Sequence, residues 1–446
     1  MKRYLVLCTA FLTLLTATSM AQPTIGSITI SGNRARESLI RANLGFKEGD
    51  KWNPSLIERA KRNLFRLKIF KVLDITTEPT VSSDTIKVNI TAVDGWFLLP
   101  IPMATVQAGE ERLGLLLTEQ NFFRDAEHLS LFSSFGESGT NSVCSFSTKD
   151  FFLTFGERDT SITEYAYSDG GFSDKIFSKN LSKEQPGDLG TVVADYTRDI
   201  AEPQIIVGMS IADGIKASAG IKSTHVSYEQ GSLGVVPSDS GLMNAVTFNI
   251  NSVELDTIKD SDGLGRMFGL GMAEVKHVID TGKRDPSLWL WNIGIENSGR
   301  MVSSDFPYTK TNISLARKTV FSWRNALTVS TRFISGTSLP LSEMPATNQQ
   351  DGLRGYYARE FRGDSVVNSY ISYTHPLHMT MTGYFNIETF YDWGVSFTDV
   401  TRHDRTGAGM NVSYRFWRFP LPLGLGVAYS FEDKNWQPAF TVGGRF

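Results

Sequence analysis

Two rhythms of apolar and polar positions divide this chain. In the first part, Ile28 and Ile30 alternate with polar neighbours and stop at Ser31-Gly32-Asn33, a strand that runs into a turn. Leu39, Ile40 and Leu44 then share a helical face, with Asn33 as the expected cap. Asn53-Pro54 marks a second helix start, with Asn as cap and Pro at the first helical position. Leu56, Ala60, Leu64 and Leu67 follow at spacings of four, four and three, which is one helical face. The other face carries Arg59, Lys61, Arg62, Arg66 and Lys68. Alternation returns at Leu73, Ile75 and Thr77, breaks at Ser82-Ser83-Asp84, and resumes with Ile86, Val88, Ile90 and Ala92 on one face. The pattern predicts an α+β module of order β-α-α-β-β over residues 22–95.

From Gly95 onward the rhythm is alternation in segments of about ten residues separated by turns, the signature of a transmembrane β-barrel. In Phe321–Phe333 the apolar face is Phe321, Trp323, Leu327, Val329 and Phe333, and the opposite face carries Arg324 and Arg332. In Tyr384–Phe397, Phe385, Ile387, Tyr391, Trp393, Val395 and Phe397 oppose Asn386, Glu388, Asp392 and Ser396. Met410–Trp417 and Leu421–Phe431 alternate in the same way, and Phe440, Val442, Gly444 and Phe446 share a face of the last strand. A soluble sandwich also alternates. Its dry core would not accept Arg324, Arg332 or Arg415, and neither would a lipid face; a polar lumen would. Residues 96–446 are therefore expected to form an all-β transmembrane antiparallel barrel. At roughly 22 residues per strand and connection its length suits 16 strands, and also allows 14 or 18.

Composition adds three constraints. The 446 residues include 39 Gly, 29 Phe, 14 Tyr and 8 Trp, and lack the continuous apolar runs of about 20 residues that helical spans need. Residues 1–21 read as a signal peptide: Lys2 and Arg3, an apolar core from Tyr4 to Leu15, and Ser19-Met20-Ala21 before Gln22. Cys8 leaves with it, so Cys144 stands alone and no intramolecular disulfide is expected. Residues 22–95 carry a net charge of +4 and residues 96–446 one of −9, with no basic run interleaved with aromatics that would suggest nucleic acid. Neither Gly-x-Ser-x-Gly nor His-Glu-x-x-His occurs, and the histidines at 128, 225, 277, 375, 378 and 403 are scattered. Asp260 and Asp262 read as a solvated turn. The expectation is no catalytic, metal or cofactor site.

One stretch breaks the rhythm with purpose. Gly352-Leu353-Arg354-Gly355-Tyr356 lies in a polar segment of roughly 30 residues, from about Ser335 to Ser365, and loops this long are usually functional or disordered. Glycines allow sharp turns and close approach, and an arginine between them presents five donors in a fixed fork. Alternation places Asp392 away from the Trp393 face, on the lumenal side, with Glu388 four residues earlier on the same side. Arg354 is thus expected to fold into the lumen and pair with Asp392, with Glu388 able to share the contact.

Residues 22–95 resemble a polypeptide-transport-associated (POTRA) domain, through Gly32, the Glu48-Gly49-Asp50 turn, Leu64 and Phe70-Lys71-Val72. The whole chain resembles the BamA/TamA superfamily of outer-membrane assembly factors and two-partner secretion transporters. Leu353-Arg354-Gly355-Tyr356 is similar to the family's V/I-R-G-F/Y loop motif, with a conservative departure at Leu353. Tyr370 to Leu377, with its proline, resembles the strand that follows. Phe390-Tyr391-Asp392-Trp393-Gly394 resembles the family's aromatic-x-Asp-x-Gly strand, and Glu119 to Phe123 its early "x-x-N-F" strand end. Phe440 and Phe446 resemble the C-terminal recognition signal of outer-membrane proteins. The resemblance implies a bacterial outer-membrane location, a periplasmic POTRA domain that receives clients by strand addition, and a weak seam between first and last barrel strands. It implies as partners outer-membrane lipids, unfolded or secreted client polypeptides, and periplasmic chaperones or accessory lipoproteins. Three functions stay open: insertion or translocation of polypeptides or lipids, a passive channel or surface antigen that keeps the fold, and a dedicated two-partner secretion pore.

Overall fold

The computed structural model describes residues 23–65, 67, 69–80, 85–94, 98–107, 110–148, 150–168, 170–174, 191–212, 214–252, 288–322, 325–347, 353–356, 361–398, 402–416 and 423–442. The expected signal peptide, Gly352, Arg324, Asp260, Asp262, His277 and Phe446 lie outside these residues. The chain forms two compact units, one running through Leu98 and including Glu119–His128, the other holding the rest.

The first unit contains β1 (Thr24–Ser31), α1 (Glu37–Leu44), α2 (Ser55–Phe65), β2 (Phe70–Pro79) and β3 (Thr85–Asp94). Its sheet has the order β1-β3-β2, with β1 parallel and β2 antiparallel to the central strand. The apolar stripes of both helices and the inward face of the sheet meet in one core, centred on Ile40, Leu44, Ala60, Leu64, Val88 and Ile90. Helix α1 stops at Gly45, whose φ of 74° is the left-handed C-terminal conformation that glycine adopts without strain. Asn53 accepts from the Ser55 amide at 3.0 Å, as a helix start requires. Asn33 does not cap α1. Arg36 holds the cap position with no side-chain bond, and Asn33 instead donates to the Ala35 carbonyl at 2.7 Å, because the chain spends residues 32–36 turning before it can coil. The segment Glu119–His128 joins this unit through a bond from the Arg36 amide to the Arg124 carbonyl (2.9 Å) and through Ala126 against the core.

The two edges of this sheet differ. The outer edge of β1 is occupied: the Ile25 amide donates to the Asp50 carbonyl (2.9 Å) and the Ile25 carbonyl accepts from Gly49 (2.8 Å). The Ile28 amide donates to Glu48 (3.0 Å) and its carbonyl accepts from Arg41 (3.0 Å). Strand β2 is the terminal strand on the other side.

The second unit is a closed barrel. Its strands are β4 (Leu98–Gln107), β5 (Glu110–Gln120), β6 (His128–Gly136), β7 (Gly139–Ser147), β8 (Phe151–Tyr167), β10 (Val192–Ala212), β11 (Ile215–Gln230) and β12 (Gly241–Ser252) in the first half. The second half comprises β13 (Leu288–Ser298), β14 (Tyr308–Ser322), β15 (Asn325–Thr337), β18 (Ser365–Met379), β19 (Gly383–Phe397), β20 (Arg402–Phe416), β21 (Leu423–Ser430) and β22 (Asn435–Val442). These sixteen strands pair with their sequence neighbours, and β22 pairs with β4 to close the ring. A short β9 (Phe172–Asp174) lies on β8, and β16 (Ala346–Thr347) pairs with β17 (Phe361–Arg362) inside the loop joining β15 to β18.

Side chains alternate as a barrel wall demands. Ile205, Ile221, Phe248, Ile293, Ile313 and Leu425 are exposed on the outer surface, whereas Glu164, Arg198, Lys222 and Asp392 are buried on the lumenal side. The alternating run Phe321–Phe333 is not one strand: Phe321 ends β14, and Asn325 opens β15. Strand β18 does not stop at Pro376 but continues to Met379, accommodating the proline at a register shift between Pro376 and His378. An even strand number returns both ends of the barrel to one rim, and the β15–β18 loop leaves from the opposite rim. At the closure, the described register links Phe440 to Val106, Thr441 to Thr105 and Val442 to Ala104. The β8–β10 register, by contrast, runs from Val192 to Met209.

The two faces should respond differently to charge. Ile293→Arg, on the outer face, is expected to cost about 2–4 kcal/mol of folding free energy in lipid vesicles. Asn292→Arg, one residue away on the lumenal face, should cost well under half of that. Urea titrations of both variants reconstituted in the same lipid measure the difference.

Candidate functional site

The β15–β18 loop enters the lumen and is held there at several walls. Its central piece is Leu353-Arg354-Gly355-Tyr356, in which Leu353 and Tyr356 are fully buried and Arg354 nearly so. The Arg354 side chain donates through Nε to Asp392 Oδ2 at 2.8 Å and through Nη2 to Asp392 Oδ1 at 2.7 Å, the parallel fork that guanidinium and carboxylate form best. Its own backbone amide donates to Asp392 Oδ2 at 2.8 Å, and Nη1 donates to Glu388 Oε1 at 3.0 Å. Asp392 is wholly buried on β19, so its charge depends on these donors.

Neighbouring residues shape this contact. The guanidinium carbon lies 3.4 Å from the centroid of the Phe390 ring and 5.4 Å from that of Tyr370, so the cation is stacked as well as paired. Gly355 has a φ of 94°, which reverses the chain immediately after the arginine. On β20, Gly407 leaves the space that the Arg354 carbonyl fills: a Cβ there would lie 2.5 Å from that oxygen. The Tyr356 hydroxyl reaches the Thr406 carbonyl at 2.6 Å and the Glu432 carboxylate, which in turn accepts from the Thr406 amide (2.9 Å) and hydroxyl (2.8 Å). One tetrapeptide is thereby fixed to β19, to β20 and to the turn before β22.

The structure thus brings together Arg354, Asp392 and Glu388, and places Leu353, Gly355 and Tyr356 around them. Phe440 lies elsewhere, half-exposed on the outer face at the β22–β4 closure. The sequence reading missed Phe390, although an aromatic in the lumenal register beside Glu388 and Asp392 is a usable signal. It also missed two further anchors of the same loop. Glu343 bonds Lys222 of β11 and Lys310 of β14, each at 2.9 Å. Arg362 of β17 and Arg198 of β10 share the buried Glu164 of β8 at 2.5 and 2.7 Å. Phe361, fully buried, lies beneath the Arg405 guanidinium at 4.1 Å and beside His403 at 4.3 Å. No group of three or more residues suited to a metal ion occurs among the described residues.

The fold and this loop define a class: a small α+β domain joined to a sixteen-strand barrel whose lumen is crossed by an arginine-anchored loop. Residues 23–94 match the POTRA family, described as a surface antigen variable number repeat. Among solved structures, BamA from Haemophilus ducreyi lacking POTRA domains 1–3 is similar with a TM-score of 0.58 at 12% identity, over 94% of this chain and 84% of that one. CdiB from Escherichia coli gives a TM-score of 0.59 at 11% identity, over 95% and 76% of the two chains. CdiB from Acinetobacter baumannii gives 0.55 at 10%, over 95% and 74%. No curated protein is significantly similar in sequence. The chain joins a POTRA domain to a sixteen-strand barrel and shares its fold with the BamA and CdiB structures.

Filling the space over Gly407 should loosen the loop without removing any charge. Gly407→Val is expected to make Arg354 accessible to trypsin in the folded, reconstituted protein, with cleavage at least about tenfold faster, equivalent to a loss of roughly 1.4 kcal/mol of protection. Phe390→Leu should have a smaller effect in the same assay, since stacking of this kind contributes about 0.5–2 kcal/mol.

Proposed function

We propose that this protein inserts polypeptides into, or passes them across, a bacterial outer membrane, without catalysing a covalent reaction. The observation that carries the reading is the loop 353–356, clamped by Arg354 to Asp392 inside a closed barrel joined to a POTRA unit. In this account residues 1–21 direct export and the POTRA unit faces the periplasm. An extended client segment adds to the free edge of β2, since the β1 edge is already occupied. The driving force is burial of the client's apolar surface in lipid or folding of the client outside, so no nucleotide is needed. The β22–β4 closure is the place where the wall would part. Lipids, chaperones and accessory lipoproteins are further partners of this reading.

A dedicated two-partner secretion pore is the second reading. Similarity to the CdiB structures, with TM-scores of 0.55 and 0.59, supports it.

Depletion of the protein in its host, followed by mass spectrometry of outer-membrane and secreted fractions, separates the two. Loss of many barrel proteins supports insertion, and loss of one secreted protein supports a dedicated pore. An unchanged inventory contradicts both. Re-expression of Arg354→Ala should insert into the membrane yet restore less than about a tenth of the lost material, the tenfold deficit expected when at least 1.4 kcal/mol of clamp energy is lost. Full restoration would show that the clamp is not needed.

A further inference from the structure

The first arm of the loop, residues 338–345, is anchored on the wall opposite the arginine clamp, and its chemistry differs. Leu339 and Met344 rest on an apolar patch made by Ile200, Val226, Met243 and Tyr308. Between them, Pro340 accepts from the amides of Glu343 (2.9 Å) and Met344 (3.1 Å), a single helical turn that points Glu343 at the wall. Its carboxylate takes Lys222 at Oε1 and Lys310 at Oε2, both at 2.9 Å, and is 6% exposed.

The carboxylate between these two lysines is carried by the arm and not by the wall. Lys222 also pairs with Glu296 at 2.7 Å and lies 3.8 Å from Glu202, which is held by Arg158 at 3.2 Å. The Tyr308 hydroxyl donates to Glu296 at 2.5 Å. Lys310 has no ion-pair partner but Glu343 among the described residues. Lift the arm away, and Lys310 loses its ion-pair partner among the described residues while Lys222 keeps Glu296 at 2.7 Å; Asp239, which accepts from the Ser342 amide at 3.3 Å and the Tyr228 hydroxyl at 3.2 Å, lies beside the arm at another point. The vacated position is a cationic recess with two ammonium groups already spaced to take both oxygens of one carboxylate. It is flanked by the apolar patch that Leu339 and Met344 had covered.

We propose that Lys222 and Lys310 form a carboxylate-binding site on the lumen wall, filled from within by Glu343 when the loop arm is down and by an acidic side chain of a polypeptide in the lumen when the arm is lifted. The site rests on the geometry alone; the identity of its second occupant rests on the transport reading above. Glu343 is then an internal competitor. It gives the partly buried Lys310 its carboxylate and the buried Lys222 a second one beside Glu296, and an acidic client residue can take over both contacts. The arginine clamp has no such exchange partner, because Asp392 also accepts the Arg354 backbone amide and so is tied to the loop itself.

The test uses the purified full chain in planar lipid bilayers, with hexaglutamate as probe and hexaglutamine as control. Glu343→Gln removes the charge that holds the arm on the two lysines while keeping the side-chain shape, so an added carboxylate meets a weaker competitor. Hexaglutamate added from the loop side is expected to block current through this variant at a concentration at least about tenfold lower than for the unchanged protein, the factor that one lost charge-assisted bond supports. Adding Lys310→Gln to Glu343→Gln should abolish the gain, and hexaglutamine should block none of them. Equal hexaglutamate block in all three proteins would overturn the proposal and leave Glu343 a fixed brace. If Glu343→Gln fails to insert, Glu343→Asp, which shortens the reach by one methylene, carries the same comparison with and without Lys310→Gln. The recordings use isolated protein, so a failed depletion experiment in cells leaves their outcome intact, and the reverse also holds.

Discussion

A guanidinium buried in a barrel lumen must find a carboxylate, and the shape of this lumen follows from that requirement. Arg354 gives two parallel side-chain bonds and one backbone bond to Asp392 and a further bond to Glu388. Bringing such a pair out of water costs several kcal/mol per ion, by order of magnitude, so the pair contributes less to net stability than to specificity. Once it is buried, however, losing Arg354 leaves the Asp392 charge with a backbone amide in place of a guanidinium, and losing Asp392 leaves Arg354 with Glu388 alone. The turn at Gly355, the gap at Gly407 and the ring of Phe390 all serve this one contact. Each would be a poor choice in a plain strand or loop.

The loop acts as a crossbeam. Glu343 ties it to β11 and β14, Arg354 and Tyr356 to β19 and β20, and Arg362 to β8 and β10. Strands β4 and β22, which close the ring, receive none of these three charged anchors. The strands that meet at Phe440–Val106 are thus left outside the part of the wall that these anchors brace. This arrangement is what a polypeptide transporter of the proposed kind would use, since a lumen plug and a wall opening need different compliance.

Much of this was legible before the structure, for identifiable reasons. The spacing of Leu56, Ala60, Leu64 and Leu67 announces a helix face because few other arrangements bury residues at that period. Asp392 could be assigned to the lumen because Asn386, Glu388, Asp392 and Ser396 share its register in Tyr384–Phe397, while Phe385, Ile387, Tyr391 and Trp393 hold the other. Arg354 stood out because glycines flank a long charged side chain where no periodicity explains it. The partners of Glu343 and Arg362 were not legible. Lys222 lies 121 residues from Glu343 and Glu164 lies 198 from Arg362, both anchors sit in a loop without period, and only closure of the ring brings the partners near. The chain reversal inside Phe321–Phe333 was hidden for a different reason: alternation in the sequence runs on unbroken from Ser322, which ends β14, to Asn325, which opens β15, so the faces were read correctly and the reversal was not.

The central claim is that Arg354 and Asp392 form one energetic unit that holds the loop inside the barrel. A double-mutant cycle tests it most directly, with Arg354→Ala, Asp392→Ala and the double variant unfolded in urea from the same lipid vesicles. The account predicts that each single change costs about 3–5 kcal/mol and that the double variant costs little more than either one, since the second change removes a charge that has already lost that partner. Single-variant costs that simply add in the double variant, to within about 0.5 kcal/mol, would contradict it.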